Sequence, residues 1–233
     1  MFKRAVIAIL AYAFWYPVLA AQNDYAVIPV DTSKKTLSLF LRDESGSMYR
    51  TFANLVNTAK QSRHEVIFAM NAGMFKADGS PVGLLVIDGK EIAPLNTKRG
   101  VGNFYLKPNG VFALTSLGPV IVSTDEYRDV GAKVILATQS GPLLLKRGII
   151  NKVFDPNSKS KFVRNGVCAI GKVAYFVISD VPVNLYEFAR YFKDEIGCKD
   201  ALYLDGNVSS LYSKDLRRYD QSPELGPILG VLE

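Results

Sequence analysis

The chain contains 233 residues, of which 48% are hydrophobic, and its 28 lysine and arginine residues against 22 aspartate and glutamate residues give a formal charge of +6. This length corresponds to one good-sized domain, whose core needs neither a metal nor disulfides for stability. The basic residues are scattered, without a long run and without interleaved aromatic residues, so the charge does not indicate a nucleic-acid-binding protein.

The first 20 residues have the pattern of a secretory signal peptide, in which Lys3 and Arg4 precede an apolar stretch and small residues follow it. The apolar stretch, residues 5–19, falls short of the roughly 20 residues that a membrane-spanning helix needs. A cleaved leader is therefore favoured over the alternative, a single membrane anchor.

Cleavage is expected after Ala20, with Ala21 as a near-equal alternative. The mature chain would comprise residues 21–233 and carry 26 basic against 22 acidic residues, a charge of +4, because Lys3 and Arg4 are lost with the leader. We expect this chain to be exported, either to the periplasm or beyond it, and to keep no stable membrane span.

Short runs rich in branched and aromatic residues, each bounded by Gly, Pro, Asn or Asp, predict at least seven strands. They are residues 37–42, 65–70, 82–87, 134–138, 173–179, 201–205 and 228–232. Residues 104–114 predict a β-hairpin, in which Pro108, Asn109 and Gly110 form the turn.

Two helices are predicted from apolar residues at helical spacing, over residues 51–62 and 184–197. Asn184 is a good residue to cap the start of the second helix, and Gly197 a good residue to end it. Strands with few helices, in no regular alternation, predict an α+β fold: a single domain on a mixed or antiparallel sheet.

The chain has two cysteines, Cys168 in a predicted strand and Cys198 in a loop. In an exported protein they can form a disulfide, but a buried free thiol is an equally common outcome, and the sequence leaves both open. The single histidine, His64, has no second histidine with which to share a metal or a catalytic triad.

The segment ALYLDGNVSS, residues 201–210, ends an apolar strand in Asp205 and continues in small polar residues. A carboxylate at a strand end, followed by a loop, is a common way to present a functional group to a ligand. The alternative is an ordinary turn, because Asp-Gly is a frequent turn dipeptide.

Four other polar stretches interrupt apolar strands in the same way, and together the five indicate a shared site. The added candidates are Asn71 and Gly73, Asn103 and Tyr105, Gln139, Ser140 and Gly141, and Arg164 and Asn165. If these stretches converge, their pocket holds one carboxylate, one guanidinium, amides, hydroxyls, and glycines that allow close backbone approach.

This inventory excludes several chemistries, since it contains no His/Cys cluster for zinc, no Ser-His-Asp set, no Walker loop and no dinucleotide fingerprint. What remains suits a sugar or sugar phosphate, with Arg164 as the forked donor to a phosphate. No cofactor is predicted. A divalent cation is a further option, but the oxygen ligands Asp205, Asn207 and the Ser209 and Ser210 hydroxyls are too few to specify a metal site.

The ordered series NAGMF, GNFYLKPNGVF, QSGPLLL, RNGV and LYLDGNVSSLY resembles the phosphodiester glycosidase family, over roughly residues 65–233. The resemblance is closest to a small exported bacterial branch. Asn207 and Val208 stand where the lysosomal form of the last motif, LDGGGSS, has two glycines.

The resemblance implies hydrolysis of a sugar-1-phosphodiester at the anomeric carbon, with an N-acetylglucosamine-like sugar as one product and a phosphate monoester as the other. Asp205 would be the nucleophile or the general base, with Arg164 and Asn71 as further catalytic residues. The substrate-binding residues would be Gln139, Ser140, Gly73, Asn103, Asn165, Gly206, Asn207 and Ser210. The expected partner is a sugar-phosphate or an envelope glycan. The alternative is a non-catalytic envelope protein that binds such a ligand without hydrolysing it.

Overall fold

The computed structural model describes residues 24–221 and 224–233, so the predicted leader lies outside the described residues. In chain order, the strands are β1 (Tyr25–Asp31), β2 (Leu37–Phe40), β3 (Val66–Asn71), β4 (Leu85–Ile87), β5 (Lys90–Ala93), β6 (Gly110–Thr115), β7 (Gly118–Ser123), β8 (Val134–Ser140), β9 (Leu143–Lys146), β10 (Ile149–Ile150), β11 (Asn165–Ile170), β12 (Val173–Ser179), β13 (Ala201–Asp205), β14 (Leu211–Ser213), β15 (Arg218–Tyr219) and β16 (Ile228–Leu232). The helices are α1 (Phe52–Gln61) and α2 (Leu185–Arg190), and α2 continues into a π-helical turn, Tyr191–Glu195.

The strands form three antiparallel sheets, which confirms the predicted α+β domain on antiparallel sheet. The first sheet has the order β1-β12-β11-β13-β9-β10, the second β15-β14-β3-β16-β2, and the third β5-β4-β8-β6-β7. None of the helices in the described ranges is long and apolar enough to cross a membrane.

The three sheets meet in one core, where each contributes a buried phenylalanine. The ring of Phe176 on β12 lies 5.0 Å from that of Phe68 on β3 and 5.7 Å from that of Phe112 on β6, measured between centroids. Aromatic pairs at this separation add to the free energy gained from burial alone. The ends of strands from different sheets are therefore held close together.

The two predicted helices are confirmed, and each covers one sheet. Helix α1 packs Phe52 and Leu55 against the second sheet, with Thr51 as its N-cap. Helix α2 buries Phe188 against the outer face of the first sheet, and Asn184 forms a capping box with Glu187 at its start.

The predicted hairpin over residues 104–114 is wrong. Residues Asn103–Tyr105 form a 3-10 turn, and the strand that begins at Gly110 pairs with β7 across a turn at residues 115–118. The Asn109 side-chain amide donates to the Phe104 carbonyl at 3.0 Å, which folds the segment back on itself instead of pairing it with β6. The strand predicted over 82–87 is also shorter, since only Leu85–Ile87 is extended.

Cys168 and Cys198, which the sequence left open, form a disulfide. The bond joins strand β11 to the segment that follows the π-helical turn, and both residues belong to the core between α2 and the first sheet. The cross-link therefore fixes the helix against the sheet that carries Asp205.

Candidate active site

The last strand residue of β13, Asp205, lies at the wall of a cavity of about 440 Å³. Side chains two residues apart on a strand point to the same face. Tyr203 therefore faces the same way and also lines the cavity.

Asp205 is only 7% exposed and is held by the backbone around it. One of its carboxylate oxygens, Oδ1, accepts hydrogen bonds from the amides of Gly206 and Asn207, the latter at 2.8 Å. Burial raises the pKa of the carboxyl group above its ordinary value, and the N–H groups of Asn207, Gly206 and Val208 oppose that rise. At a pH above this raised pKa the ionised group costs folding stability, a cost that disappears once the group is protonated.

The side chains of Asn71 and Asn165 form a buried pair beneath the Asp205 loop. Asn165 Nδ2 donates to the backbone carbonyl of Asn71 at 2.9 Å and to its Oδ1 at 3.1 Å. Asn165 Oδ1 accepts from the Asp205 amide at 3.0 Å, and Asn71 Oδ1 accepts from the Ser210 amide at 2.9 Å. The structure therefore places Asn71, Asn165 and Ser210 behind the cavity, where they hold the loop in place.

Arg164 is 1% exposed, and its guanidinium donates to three acceptors of the protein. These are the carbonyl of Val183 at 2.7 Å, the phenol oxygen of Tyr203 at 2.8 Å and the carbonyl of Ser160 at 3.0 Å. No carboxylate within residues 24–221 and 224–233 forms an ion pair with it, although buried charges in proteins are usually paired. The Nη1 end of the guanidinium lies beside Tyr203 and also near Gly206, where a Cβ would be 3.3 Å from it, and both of these residues line the cavity.

Tyr203 is a site residue that sequence reasoning missed. Burial raises its pKa to about 12, against the opposing effect of Arg164, so the phenol stays protonated at neutral pH. Its oxygen accepts from Arg164 at 2.8 Å, and the side chain forms part of the cavity wall although none of its surface is exposed to solvent. The signal was present, because Tyr203 precedes Asp205 by two positions on a predicted strand.

The predicted residues Gln139, Ser140 and Gly73 have structural positions outside the cavity. The Gln139 side chain makes four hydrogen bonds, accepting from the amides of Leu84 and Asn96 and donating to the Asn96 carbonyl and the Thr124 hydroxyl. Ser140 donates to the Leu204 carbonyl at 2.7 Å.

Gly73 has no room for a side chain, since a Cβ there would lie 2.3 Å from the Gln139 carbonyl oxygen. These three residues hold together the strands that carry the site.

Of the candidates, Asp205, Gly206, Asn207, Asn103 and Tyr105 line the cavity. Apart from Tyr203, the rest of the wall is apolar and was not predicted. It includes Phe75, Phe104, Phe162 and Val101, which is 97% exposed. Isolated aromatic residues in loops carry no sequence signal that separates a cavity wall from a core.

No group of three or more His, Cys, Asp or Glu side chains in the described part of the chain could hold a metal ion. The hydroxyls of Ser209 and Ser210, which had been considered as oxygen ligands, donate to the carbonyls of Asp205 and Val208.

Comparison with known proteins shows the family of this chain. The phosphodiester glycosidase family matches residues 64–230, and the chain therefore belongs to that family. A protein of Escherichia coli strain K12, the uncharacterized protein YigE, is 34% identical over 200 residues, which cover 85% of this chain and 76% of that protein.

Two solved structures share the fold at low sequence identity. The catalytic domain of zebrafish N-acetylglucosamine-1-phosphodiester alpha-N-acetylglucosaminidase, auto-inhibited by its pro-peptide, has a TM-score of 0.56 and 16% identity, covering 91% of this chain and 84% of that one. A hypothetical protein from Synechocystis has a TM-score of 0.53 and 14% identity, covering 89% of this chain and 59% of that one.

Gly206 provides a direct test of the Tyr203 position. A Cβ at residue 206 would lie 1.9 Å from the Tyr203 phenol oxygen, with the next atom of the ring at 3.2 Å. We expect Gly206→Ala to lower the free energy of unfolding by about 1–3 kcal/mol in the wild type, because the phenol must shift. In a Tyr203→Phe background the same change should cost less, and urea denaturation of all four proteins measures the coupling. Equal costs in both backgrounds would contradict the packing described here.

Proposed function

We propose that the protein hydrolyses a sugar-1-phosphodiester at the anomeric carbon, releasing an N-acetylglucosamine-like sugar and leaving a phosphate monoester. The observation that carries this proposal is one buried carboxylate, Asp205, held at a cavity wall beside the protonated phenol of Tyr203. Membership of the phosphodiester glycosidase family supports it.

The single carboxylate suits a phosphate leaving group. Asp205 is the only acidic residue among those that line the cavity in the described structure. Most glycosidases need two carboxylates, because an alkoxide leaving group must be protonated. A phosphate monoester has a second pKa near 6, so it departs as an anion without a proton donor.

In the proposed reaction, Asp205 attacks the anomeric carbon or removes a proton from the water that does so. The bond between C1 and the bridging oxygen breaks, and its electron pair remains on the phosphate. If Asp205 attacks, a glycosyl ester forms, and water then displaces the carboxylate from C1 and restores it. If Asp205 acts as the base, water attacks C1 directly. In either case the oxygen of water ends on C1 of the sugar. Asp205 Oδ1 is occupied by two backbone amides, which leaves Oδ2 to face the substrate.

Tyr203 and Arg164 would stabilise the departing phosphate. The phenol donates its proton in a hydrogen bond to a phosphate oxygen, and the Arg164 guanidinium at 2.8 Å strengthens it as a donor. The phosphate would also supply the negatively charged partner that the buried guanidinium of Arg164 lacks. Arg164 thus acts through Tyr203 in this proposal, whereas the sequence predicted a direct forked contact with the phosphate.

The sugar would pack against the aromatic part of the wall, where Phe75, Tyr105 and Phe162 offer apolar faces. The Asn103 and Asn207 amides are placed at the cavity to bind hydroxyl or acetamido groups. Asn207 stands at a position that the lysosomal form of the motif gives to glycine, yet its backbone amide still holds Asp205.

We further propose that the protein is exported and acts on a phosphodiester-linked sugar of the cell envelope or of a polymer from outside. The support is the leader-like pattern of residues 1–20, together with the modest positive charge of the remaining chain, which attracts anions at low salt.

A panel of substrates tests the proposed reaction. With leaving groups of matched acidity, we expect cleavage of an N-acetylglucosamine-1-phosphodiester and much slower cleavage of the neutral nitrophenyl glycoside. Asp205→Asn should abolish turnover, whereas Asp155→Asn, which alters an exposed carboxylate, should leave it unchanged. Binding of the phosphodiester without release of sugar on long incubation would instead support the alternative, a sugar-phosphate-binding protein.

The raised pKa of Asp205 predicts the acid limb of the pH profile. Asp205 must be ionised to act as nucleophile or base, so kcat/KM should fall as the pH drops through a value above the ordinary aspartate pKa of about 4. A bound phosphodiester anion should raise this pKa further and move the limb of kcat to higher pH than that of kcat/KM. A limb at or below pH 4 would contradict the assigned role.

Tyr203→Phe is expected to lower kcat about 100-fold with little change in KM, because the lost hydrogen bond strengthens as charge develops on the phosphate. Arg164→Lys should also lower kcat, since the three acceptors are bound by three different nitrogens of the guanidinium, and the single nitrogen of lysine cannot occupy all three positions. In the Tyr203→Phe background the Arg164→Lys change should cost much less. An undiminished cost there would contradict a role of Arg164 that is exerted through Tyr203.

A further inference from the structure

A second cavity adjoins the proposed active site. It has a volume of about 720 Å³ and shares two wall residues, Val82 and Tyr105, with the cavity of Asp205. It is formed by the segment after β2, the loop after β3 and the chain that follows β5. We call it the cationic groove.

The charged residues that line the cationic groove are all basic: Arg42, Lys76 and Lys98. Arg42 donates to the Gly46 carbonyl at 2.7 Å, so part of its guanidinium has a structural partner. Lys76 and Lys98 are exposed, and no acceptor or carboxylate in the described part of the chain binds their ammonium groups. The neighbouring acid, Asp78, accepts from the backbone and hydroxyl of Ser80 and is attracted to the Lys76 charge without forming an ion pair with it.

The two cavities therefore differ in charge. Among the described residues, the Asp205 cavity has one carboxylate and no cationic side chain in its wall, whereas the groove wall has three cations and no carboxylate. Charge is also unevenly distributed in a sugar-1-phosphodiester. The sugar is neutral, and any charge in addition to that of the diester lies on the group beyond the phosphate.

We propose that the cationic groove binds the part of the substrate beyond the phosphodiester, and that this part carries a second phosphate or a comparable anionic group. The inference rests on the proposed function. It assigns Lys76 and Lys98 as specificity residues and selects substrates with at least two negative charges, such as a polymer of sugar phosphates. Leu41, Pro81 and Ile92 in the same wall contact the carbon chain between the two anions.

Two substrates and two double variants test this assignment. The substrates are an N-acetylglucosamine-1-phosphodiester with a methyl group beyond the phosphate and one with a propyl chain that ends in a phosphate monoester. The groove variant is Lys76→Gln/Lys98→Gln. The control is Lys152→Gln/Lys193→Gln, which removes two exposed lysines that line neither cavity and form no ion pair within the described residues, so that both variants lose the same net charge.

For the groove variant, we expect KM for the phosphate-terminated substrate to rise about tenfold or more, as for the loss of charge-assisted hydrogen bonds. Its kcat and the kinetics of the methyl ester should stay within about twofold. The control variant should leave both substrates within the same limits. An equal rise in KM for the control would show that the effect comes from long-range attraction by the net charge, and would overturn the proposal.

Binding of tripolyphosphate to the Asp205→Asn protein, measured by calorimetry, separates this inference from the proposed reaction. We expect the added groove substitutions to weaken that binding about tenfold. If the wild type hydrolyses neither substrate but this loss of affinity is seen, the reaction is wrong and the anion site stands. If the wild type is active and neither KM nor tripolyphosphate affinity responds, the groove assignment is wrong and the reaction stands.

Discussion

The hydrogen-bonded pair of Asn71 and Asn165 is the interaction on which the site depends. The two side chains come from different sheets, 94 positions apart in the chain, and they bind the amides of Asp205 and Ser210 at either end of the same loop. All of these groups are buried, so a lost partner would leave an unsatisfied polar atom at a cost of about 1–3 kcal/mol. These bonds hold both ends of the loop and so position the carboxylate that it carries.

The fold also buries two groups of opposite charge, the carboxyl group of Asp205 and the guanidinium of Arg164, without pairing them with each other. Burial disfavours the ionised form of Asp205 and raises its pKa, and Arg164 lies in the interior without a carboxylate partner among the described residues. Both arrangements cost folding stability, and neighbouring residues offset that cost with backbone hydrogen bonds and the phenol of Tyr203. An anion bound between them would interact favourably with the guanidinium through Tyr203. In the proposed reaction, this arrangement of charges favours a phosphate over a neutral leaving group.

Much of this arrangement follows from the sequence, and some of it does not. The strands over residues 173–179, 201–205 and 228–232 form with the predicted bounds, because buried runs of branched residues flanked by turn residues have few alternatives. The candidate at the end of one of them, Asp205, does line a cavity. Gln139 was a weaker inference, because a polar residue at a strand end gives the same sequence pattern whether it binds a ligand or holds two segments together. The predicted hairpin at 104–114 failed because the Asn109 side chain bonds to the backbone five residues earlier, a contact that turn propensity does not reveal.

In the proposed reaction, water adds to the sugar carbon and not to phosphorus. This step is tested most directly by hydrolysis of an N-acetylglucosamine-1-phosphodiester in water enriched in oxygen-18. Phosphorus NMR and mass spectrometry of the products then locate the label. We expect the heavy oxygen to appear in the C1 hydroxyl of the released sugar and the phosphate monoester to remain unlabelled. Label in the phosphate monoester would show cleavage of the bond between phosphorus and oxygen, and would contradict the role given to Asp205.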